Sequence, residues 1–214
     1  MKMIYFVRHG ESEGNAGPIR QTTDSLLTEK GRSQSAFVAE RCSKLSIDTV
    51  VCSTMGRAKE TAQIIIDKIS KPVEYSDLFA ERRRSSEVLG KPKDSPIALE
   101  VEKTIIEKFH IPGFRFSDEE NFEDLKSRAK KALEYLAQRP EKNILVVTHG
   151  FFMRIVMAYV VSGDKLTGEE CDRFIRVFHM ENTGITVLSY DPKWKDHPWW
   201  LWIWNDHAHL GEVE

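Results

Sequence analysis

The stretch Met3-Ile4-Tyr5-Phe6-Val7, followed at once by Arg8-His9-Gly10, decides how this sequence folds. Its first part is a continuous apolar run, and such a run is typical of a strand that is buried on both faces of a parallel sheet. The run ends on a guanidinium and an imidazole. Because ligands bind beyond the carboxyl ends of the strands in open α/β sheets, this ending predicts functional residues at Arg8 and His9.

Two further apolar runs end in the same way. Thr49-Val50-Val51-Cys52 precedes Ser53-Thr54, and Ile144-Leu145-Val146-Val147-Thr148 precedes His149-Gly150. Pro72-Val73-Glu74-Tyr75 predicts an additional short strand. Because helical patterns separate these strands, the sequence predicts βαβ units with right-handed crossovers.

The helical patterns have recognisable starts. Thr28 can cap a helix that runs to about Leu45, and either Ser53 or Thr54 can cap the next one. Residues 151–161 are apolar nearly all round, which predicts a buried helix. The predicted fold class is therefore α/β, a three-layer α/β/α sandwich.

The end of the chain predicts antiparallel strands. Residues 174–179 and 185–190 flank a turn and predict an antiparallel pair at one edge of the sheet. Residues 199–204 alternate tryptophan with aliphatic side chains from Trp200 onward, which is typical of a strand with a structural role. We therefore expect the sheet to be mixed but mostly parallel.

A change of composition marks residues 92–140. Two charged helical patterns, at about 97–109 and 122–136, flank a break at Pro112-Gly113. We interpret this part as a helical insertion over the active site. The whole chain, residues 1–214, is then a single domain.

The composition restricts the classes of function. The 214 residues carry a net charge of −2 at pH 7, which is not the basic balance expected of a nucleic-acid-binding protein. Cys42, Cys52 and Cys171 form no CxxC pair, so neither a disulfide framework nor a zinc site is predicted. The apolar N-terminal run is too short for a signal peptide or a membrane span. We expect a cytoplasmic protein with no nucleic-acid or membrane partner, and a homodimer through edge strands remains open.

The predicted strand ends bring two histidines and two arginines to one edge of the sheet. Arg8 and His9 follow the first strand, Arg57 lies in the first turn of the helix after the second, and His149 follows a third. Guanidiniums bind phosphate oxygens bidentately, so this set predicts a phosphate site that needs no metal. Covalent transfer can use His9 as nucleophile and His149 to stabilise the transition state.

Phosphoryl transfer also requires a proton donor for the departing oxygen. Glu81 and Glu87 are the two candidates, and the residues alone do not decide between them. The neighbouring triplet Arg82-Arg83-Arg84 is interpreted as a solvated surface stretch, one residue of which contacts substrate. His207 and His209, near the end of the chain, could suggest a metal site, but no second set of ligands with metal-binding spacing appears, so a structural role is expected.

Several motifs together resemble the signature of the histidine phosphatase superfamily, the phosphoglycerate-mutase-like proteins. They occur in the family's order over most of the chain, whereas residues 92–140 contain no motif of the family. The motifs are Arg8-His9-Gly10-Glu11-Ser12 with Asn15, Asp24 to Gly31 with Gln34, Ser53-Thr54-Met55-Gly56-Arg57-Ala58 with Thr61-Ala62, Thr148-His149-Gly150, and Asn182-Thr183-Gly184-Ile185-Thr186.

The resemblance implies a phosphoglycerate-mutase-like fold and a role for each matching residue. His9 becomes phosphorylated, and Arg8, Arg57 and His149 form the phosphate pocket; no cofactor is implied. The resemblance also places Asn15 and Gly150 at the phosphate. The proton donor of the mutase-like branch is a glutamate in an L-x-E context, which Leu78-Phe79-Ala80-Glu81 resembles with one residue extra. Glu81 is therefore the preferred donor and Glu87 the alternative.

Three functions remain after this comparison: a phosphomonoesterase, a phosphoglycerate mutase, and a member that binds phosphorylated ligands without turnover. Mutases of the family carry an F-x-G-W-x-D stretch after the first motif, and residues 17–24 lack its aromatic pair. This difference favours hydrolysis. The expected substrate is a small phosphorylated metabolite whose identity depends on contacts in residues 82–125.

Overall fold

The computed structural model describes residues 1–20 and 22–211. The strands are β1 (Lys2–Arg8), β2 (Thr49–Cys52), β3 (Val73–Tyr75), β4 (Asn143–Thr148), β5 (Ile185–Tyr190) and β6 (Trp199–Asp206). The helices are α1 (Glu13–Ala16), α2 (Glu29–Cys42), α3 (Gly56–Ile69), α4 (Pro96–Lys108), α5 (Phe122–Gln138), α6 (Gly150–Ser162) and α7 (Gly168–Val177).

The strands form one mixed six-stranded sheet in the order β3-β2-β4-β1-β5-β6. β3, β2, β4 and β1 run parallel, whereas β5 pairs antiparallel with both β1 and β6. α2 and α3 cover one face of the sheet, and α5 and α6 cover the other. The predicted α/β fold class, with helices on both sides of a mostly parallel mixed sheet, is confirmed.

The central strand β1 explains why its sequence is continuously apolar. Ile4 and Phe6 are buried in the core that contains α5 and α6, whereas Val7 is buried in the core that contains α2 and α3. Burial of each such side chain contributes about 1.5–3 kcal/mol of hydrophobic free energy. Both faces of the strand are therefore fixed, and Arg8 must lie at its carboxyl edge.

The predicted capping residue is confirmed for α2 and is wrong for α3. Thr28 caps α2, since its hydroxyl accepts a hydrogen bond from the Gly31 amide at 3.0 Å. The prediction that Ser53 or Thr54 caps α3 is wrong, because the residue before that helix is Met55 and its side chain makes no cap. The Ser53 hydroxyl instead contacts His149, and the capping position lies one or two residues later than predicted.

The predicted strand at residues 174–179 is also wrong. Most of this stretch belongs to α7, which begins with a reciprocal capping box between Thr167 and Glu170. β5 therefore has no hairpin partner in that region and pairs with β1 and β6. The capping residues lie well before the apolar stretch, and they fix the helix although its aromatic and β-branched residues favour a strand.

The predicted insertion consists of two structurally different parts. α5 packs into the main core through residues such as Leu125 and Leu136, next to the sheet and α6. α4 instead forms a small cluster of its own, in which Ala98 and Val101 pack with Val88. Only α4 and the loops around it therefore lie outside the main core.

The tryptophan-rich strand β6 is one of the two edge strands of the sheet. Trp200 and Trp202 are 45% and 61% exposed, and the indole of Trp202 donates a hydrogen bond to Ser189 on β5 at 2.7 Å.

Among the residues described, none of the helices combines the length and apolar character that crossing a bilayer requires.

Candidate active site

Two histidines and two arginines meet at the carboxyl edge of the sheet. β1 and β4 are adjacent and parallel, with Arg8 in register with Thr148, so His9 and His149 leave neighbouring strands side by side. Their ring centroids are 5.0 Å apart. Arg57 enters from the first turn of α3 and is 1% exposed. The residues predicted to form the phosphate site therefore lie together.

His9 has a defined tautomer. Its Nδ1 lies 2.7 Å from the carbonyl oxygen of Gly10, which can only accept, so Nδ1 carries the hydrogen. The lone pair is therefore on Nε2, which accepts a hydrogen bond from Nε of Arg57 at 3.1 Å. Burial, together with the charges of His149, Arg57 and Arg8, holds the pKa of His9 well below 6.5. At neutral pH the ring is neutral and its Nε2 is a base.

The backbone around His9 is held from several sides. The Gly10 amide donates to the hydroxyl of Thr61 at 3.0 Å, and the side-chain amide of Asn182 donates to the carbonyl oxygen of His9 at 2.8 Å. A side chain at Gly10 would collide with the carbonyl oxygen of Gly31, since its Cβ would lie 2.4 Å away. These contacts fix the direction of the His9 ring.

Arg57 is buried and Arg8 is partly buried, and burial affects the pKa of both. Arg8 passes beside Gly150, where a Cβ would lie 3.0 Å from its Nε, and its Nη1 donates to the carbonyl oxygen of Met180. Burial lowers the pKa of Arg57 to about 10, while the carboxylate of Glu81 acts in the opposite direction. Since this value lies well above 7, Arg57 remains a cation at neutral pH.

His149 is positioned by a hydroxyl and is otherwise unpaired. Its Nε2 lies 2.7 Å from Oγ of Ser53, and burial beside Arg57 keeps its pKa well below 6.5. Within the part of the chain that the structure describes, Nδ1 of His149 and Nε of Arg8 are buried and have no hydrogen-bond partner. Both atoms belong to the site, and an anionic oxygen is the kind of group that would satisfy them.

Glu81 lies against the N-terminus of α6. Its carboxylate accepts hydrogen bonds from the amides of Arg82 at 2.9 Å, Phe151 at 3.2 Å and Phe152 at 3.0 Å. Burial alone would raise the pKa of Glu81, but these amide donors and the charge of Arg57 outweigh it and lower the pKa below 4.5. In this state Glu81 is an ionised carboxylate at the N-terminus of α6, and the charge of Arg57 acts on it.

A cavity of about 370 Å³ opens on the outer side of Arg57 and Glu81, and neither His9 nor His149 is among its lining residues. Arg57, Glu81 and Arg82 all line it. The alternative donor, Glu87, is exposed and lines neither this cavity nor a neighbouring one of about 360 Å³. The geometry therefore favours Glu81 over Glu87 for a role at this site.

Gly150 contacts the site, whereas Asn15 forms hydrogen bonds with residues outside it. Asn15 is on α1, where its Oδ1 accepts a hydrogen bond from the Ser12 hydroxyl at 3.0 Å. Gly150 is the first residue of α6, and the space left by its missing side chain is occupied by Arg8. The absence of a side chain at Gly150 therefore leaves the space that Arg8 occupies.

The arginine triplet is not uniformly solvated. Arg83 is exposed and donates to the carbonyl oxygen of Asp118 at 2.7 Å. Arg84 pairs with Glu102 at 2.8 Å, and Arg82 lies over the ring of Phe151, 4.2 Å from its centroid. The expectation of a solvated stretch is wrong for Arg82, which is partly buried beside the site.

The sequence predicts no role at the site for three residues that hold it together. Ser53, Thr61 and Asn182 each bond a histidine or the backbone next to it. All three belong to motifs that had been noted, so the signal was present, but hydrogen-bond partners cannot be deduced from a motif. In the tail, His209 bonds the Thr183 hydroxyl at 3.0 Å and His207 bonds the carbonyl of Asn205 at 2.7 Å.

The sequence is similar to curated relatives over its whole length. It is 30% identical to the "Probable phosphoglycerate mutase GpmB" of Erwinia tasmaniensis, covering 100% of this chain and 97% of the relative. It is 31% identical to the protein of the same name from Photorhabdus laumondii, covering 98% and 95%.

Solved structures with a similar fold have comparable lengths. The structure named Bacillus stearothermophilus YhfR superimposes with a TM-score of 0.81 at 25% identity, covering 98% of this chain and 100% of the other. A phosphoserine phosphatase from Entamoeba histolytica, solved in complex with 3-phosphoglyceric acid, superimposes with a TM-score of 0.77 at 25% identity and the same coverage.

The family assignment rests on a match that spans nearly the whole chain. The sequence profile of the histidine phosphatase superfamily (branch 1) matches residues 4–206. This range begins in β1 and ends in β6, so it includes the strand ends that carry His9 and His149. The chain belongs to the histidine phosphatase superfamily.

Proposed function

We propose that this protein hydrolyses phosphomonoesters through a phosphohistidine at His9, without a metal ion. The observation that carries the proposal is the state of the His9 ring, which is neutral, buried and fixed with its lone pair on Nε2. A nucleophile that faces two guanidiniums and a second imidazole is suited to attack a bound phosphoryl group. The expected substrate is a small phosphorylated metabolite.

In the first step, Nε2 of His9 attacks phosphorus and forms an N–P bond while the ester P–O bond breaks. The guanidinium of Arg57 leaves Nε2 and binds phosphate oxygens together with Arg8. His149 donates a hydrogen bond from Nδ1 to an equatorial oxygen, since its Nε2 is already occupied by Ser53. The negative charge of the transition state is thereby distributed over fixed donors.

Glu81 delivers a proton to the departing oxygen in this step. The carboxylate is ionised before substrate binds, so the proton enters with the substrate. A phosphomonoester has a second pKa of about 6, so near neutral pH a fraction of the substrate is the monoanion, which still carries a proton. Glu81 takes this proton, because the phosphate dianion that remains beside it raises the pKa of the carboxyl. The carboxyl then gives the proton to the leaving oxygen.

In the second step, water attacks phosphorus and the N–P bond of the phosphohistidine breaks. Glu81, again a carboxylate, takes a proton from the attacking water. The products are inorganic phosphate and the free imidazole of His9. One glutamate thus acts as acid in the first step and as base in the second.

A phosphoglycerate mutase is the second candidate function, because the curated relatives described above carry that name. A mutase must keep water from the phosphoenzyme until the phosphoryl group returns to a second oxygen. Here residues 17–24 lack the aromatic pair of the family's mutases, and the cavity that Glu81 lines is open to solvent. Both observations favour hydrolysis.

The test is turnover of para-nitrophenyl phosphate by the purified protein in excess chelator. The enzyme is then denatured during turnover of the radiolabelled ester, and the stability of the protein-bound label is measured in acid and in base. We expect chelator-resistant release of phosphate and a label that is stable in base, lost in acid and located on His9. Interconversion of phosphoglycerates, followed by phosphorus NMR, tests the mutase. Rapid interconversion with negligible phosphate release would replace the proposal with the mutase function.

A further inference from the structure

A second cavity lies beside the one that contains Glu81, and we call it the α4 cavity. Its volume is about 360 Å³, and small-molecule sites typically measure about 300–1,000 Å³. Its walls come from α4, α6, α7 and the loop before α4. The apolar part of this wall includes Val88, Val101, Ile105, Phe109, Phe151 and Ile175.

The α4 cavity adjoins the cavity that contains Arg57 and Glu81. Arg82 and Arg84 line both this cavity and the one that contains Arg57 and Glu81. Phe151 follows Gly150 directly, and its amide donates to the Glu81 carboxylate at 3.2 Å while its ring lines the α4 cavity. For a substrate with its phosphate at His9 and its leaving oxygen near Glu81, the α4 cavity is thus a neighbouring space beyond Arg82 that can hold the rest of the alcohol.

Most of the charged groups of the cavity already have partners. Arg20 and Arg84 share the carboxylate of Glu102, and Arg176 binds Asp172 at 2.7 Å. Glu119 is also occupied, because its two oxygens accept hydrogen bonds from the amides of Phe116 and Ser117. These groups contribute little uncompensated charge to the cavity.

Two other arginines of the cavity lack such a partner. Among residues 1–20 and 22–211, neither Arg82 nor Arg154 forms a salt bridge, and both contact the ring of Phe151 with their guanidiniums, at 4.2 Å and 5.6 Å from its centroid. Arg154 is fixed by hydrogen bonds to the carbonyl oxygens of Gly150 at 3.1 Å and Ile175 at 2.6 Å. Arg82 makes no such bond, so its planar donors remain for a ligand.

Glu81, Glu102 and Glu119 act on Arg82 only through space, without a salt bridge to it. Because five arginines line the cavity against three carboxylates, a ligand carboxylate would compensate the excess positive charge. Burial lowers the pKa of Arg82 to about 10, which leaves it charged at neutral pH. The apolar wall, in turn, gains free energy by covering hydrocarbon. The cavity thus combines recognition of a second anionic group with recognition of an apolar chain.

We infer that the substrate is an amphipathic phosphomonoester, in which an apolar chain fills the α4 cavity and a carboxylate binds Arg82 with Arg154. The inference rests on the proposed phosphatase function, since it names the alcohol part of the same substrate. We therefore expect kcat/KM to depend both on the presence of the carboxylate and on the length of the substrate's apolar chain.

The test uses ω-carboxyalkyl phosphates that differ only in the number of methylene groups, each compared with the alkyl phosphate of the same length. Leaving-group reactivity is matched within each pair, so the ratio of kcat/KM values reports the carboxylate contact alone. At the best length we expect the acid to be preferred by about 10- to 100-fold, the range for hydrogen bonds between charged groups. Arg82→Gln should reduce this ratio to about one.

The apolar part of the inference is tested on α4 itself. Ile106 is half exposed at the cavity, so Ile106→Trp adds bulk without disturbing the core; Ile97→Trp, on the same helix but outside the cavity wall, is the control. We expect Ile106→Trp to shift the preferred chain to a shorter length and Ile97→Trp to leave it unchanged. An identical length profile in both variants would contradict the assignment of the cavity.

Binding of the matching phosphonates, measured by calorimetry, separates this inference from the phosphatase proposal. Their P–C bond cannot be hydrolysed, so their affinity depends on the site and not on turnover. Equal affinity of carboxyalkyl and alkyl phosphonates in the wild type and in Arg82→Gln would overturn the inference. A strong preference for the acid, combined with failure to hydrolyse any phosphate, would instead overturn the phosphatase function and retain the inference.

Discussion

The phosphate pocket and the α4 cavity lie side by side but are constructed on different physical principles. In the pocket, His9 and His149 leave two adjacent strands and are 2% and 0% exposed. In the cavity, Glu102 and Arg84 meet across a partly exposed salt bridge on a peripheral helix. One region is fixed by the sheet, and the other is held by contacts at the surface of the fold.

This difference explains how one scaffold can keep its chemistry while its substrate changes. A buried pocket tolerates a single arrangement, because any altered side chain there leaves another buried polar atom without a partner. Side chains of the α4 cavity can be replaced without disturbing the main core, since α4 packs mainly in its own small cluster. Mutations in the pocket should therefore affect turnover, and mutations in the cavity should affect selectivity.

The largest effect is expected for His9→Ala. Removal of the nucleophile should lower kcat for para-nitrophenyl phosphate by roughly 10⁴-fold or more, because no other group can form the covalent intermediate. The measurement is steady-state hydrolysis in excess chelator. The control is His179→Ala, which removes a histidine whose side chain is 78% exposed. Comparable losses in both variants would indicate that His9 is not the nucleophile.

Glu81→Gln should have the next largest effect, and it should depend on the substrate. Glutamine cannot deliver a proton, so turnover of an alkyl phosphate should decrease about 10²- to 10⁴-fold, the usual contribution of general acid catalysis. Para-nitrophenyl phosphate should lose much less, since its leaving group needs little protonation. Glu87→Gln, at an exposed position outside the cavities, is the matched control. Equal losses for both leaving groups would exclude Glu81 as the proton donor.

The pH dependence of kcat/KM should be that of an enzyme that uses the protonated substrate. Glu81 has a lowered pKa and is ionised in the free enzyme, so the required proton belongs to the phosphate monoanion. For alkyl phosphates kcat/KM should therefore decrease about tenfold per pH unit above a pH of about 6. Protonation of His9 should limit activity only at much lower pH, because its pKa lies well below 6.5. An increase of kcat/KM between neutral and alkaline pH would exclude this route of the proton.

The same comparison explains which features could be predicted from the sequence. The strand ends were predictable because a continuous apolar run is typical of a buried strand, and the polar residues Arg8 and His9 that follow it must lie at the end of that strand. The location of Arg57 followed in the same way from the helix after β2. The roles of the individual side chains remain predictions that only the kinetic experiments test.

The errors occurred where local residues favour one structure and distant contacts select another. Residues 174–179 have strand-forming side chains, yet they lie largely within a helix that Thr167 and Glu170 initiate. Arg82 was interpreted as part of a solvated triplet, because a sequence does not reveal that Phe151 approaches it from α6. The sequence indicates residues 82–125 as the region of substrate contacts, but the α4 cavity itself depends on contacts with α6 and α7 that no sequence pattern shows.

The smallest effect, and the most informative one for the cavity, is expected for Glu102→Gln. Glu102 is the shared partner of Arg20 and Arg84, and the substitution removes its charge but keeps an oxygen that can accept a hydrogen bond. The cavity then becomes more positive by one charge. The cost in stability should be about 1 kcal/mol or less, since partly exposed salt bridges contribute little.

The sign of the effect on binding separates two roles of Glu102. If the residue mainly sets the charge of the cavity, KM for a carboxyalkyl phosphate should decrease about two- to tenfold at low salt, and the gain should diminish as salt screens it. KM for the alkyl phosphate of the same length serves as the internal reference and should change less. If Glu102 mainly anchors α4, KM should instead increase for both substrates and be insensitive to salt. That result would mean that selectivity depends on the position of α4 more than on the charge of its side chains.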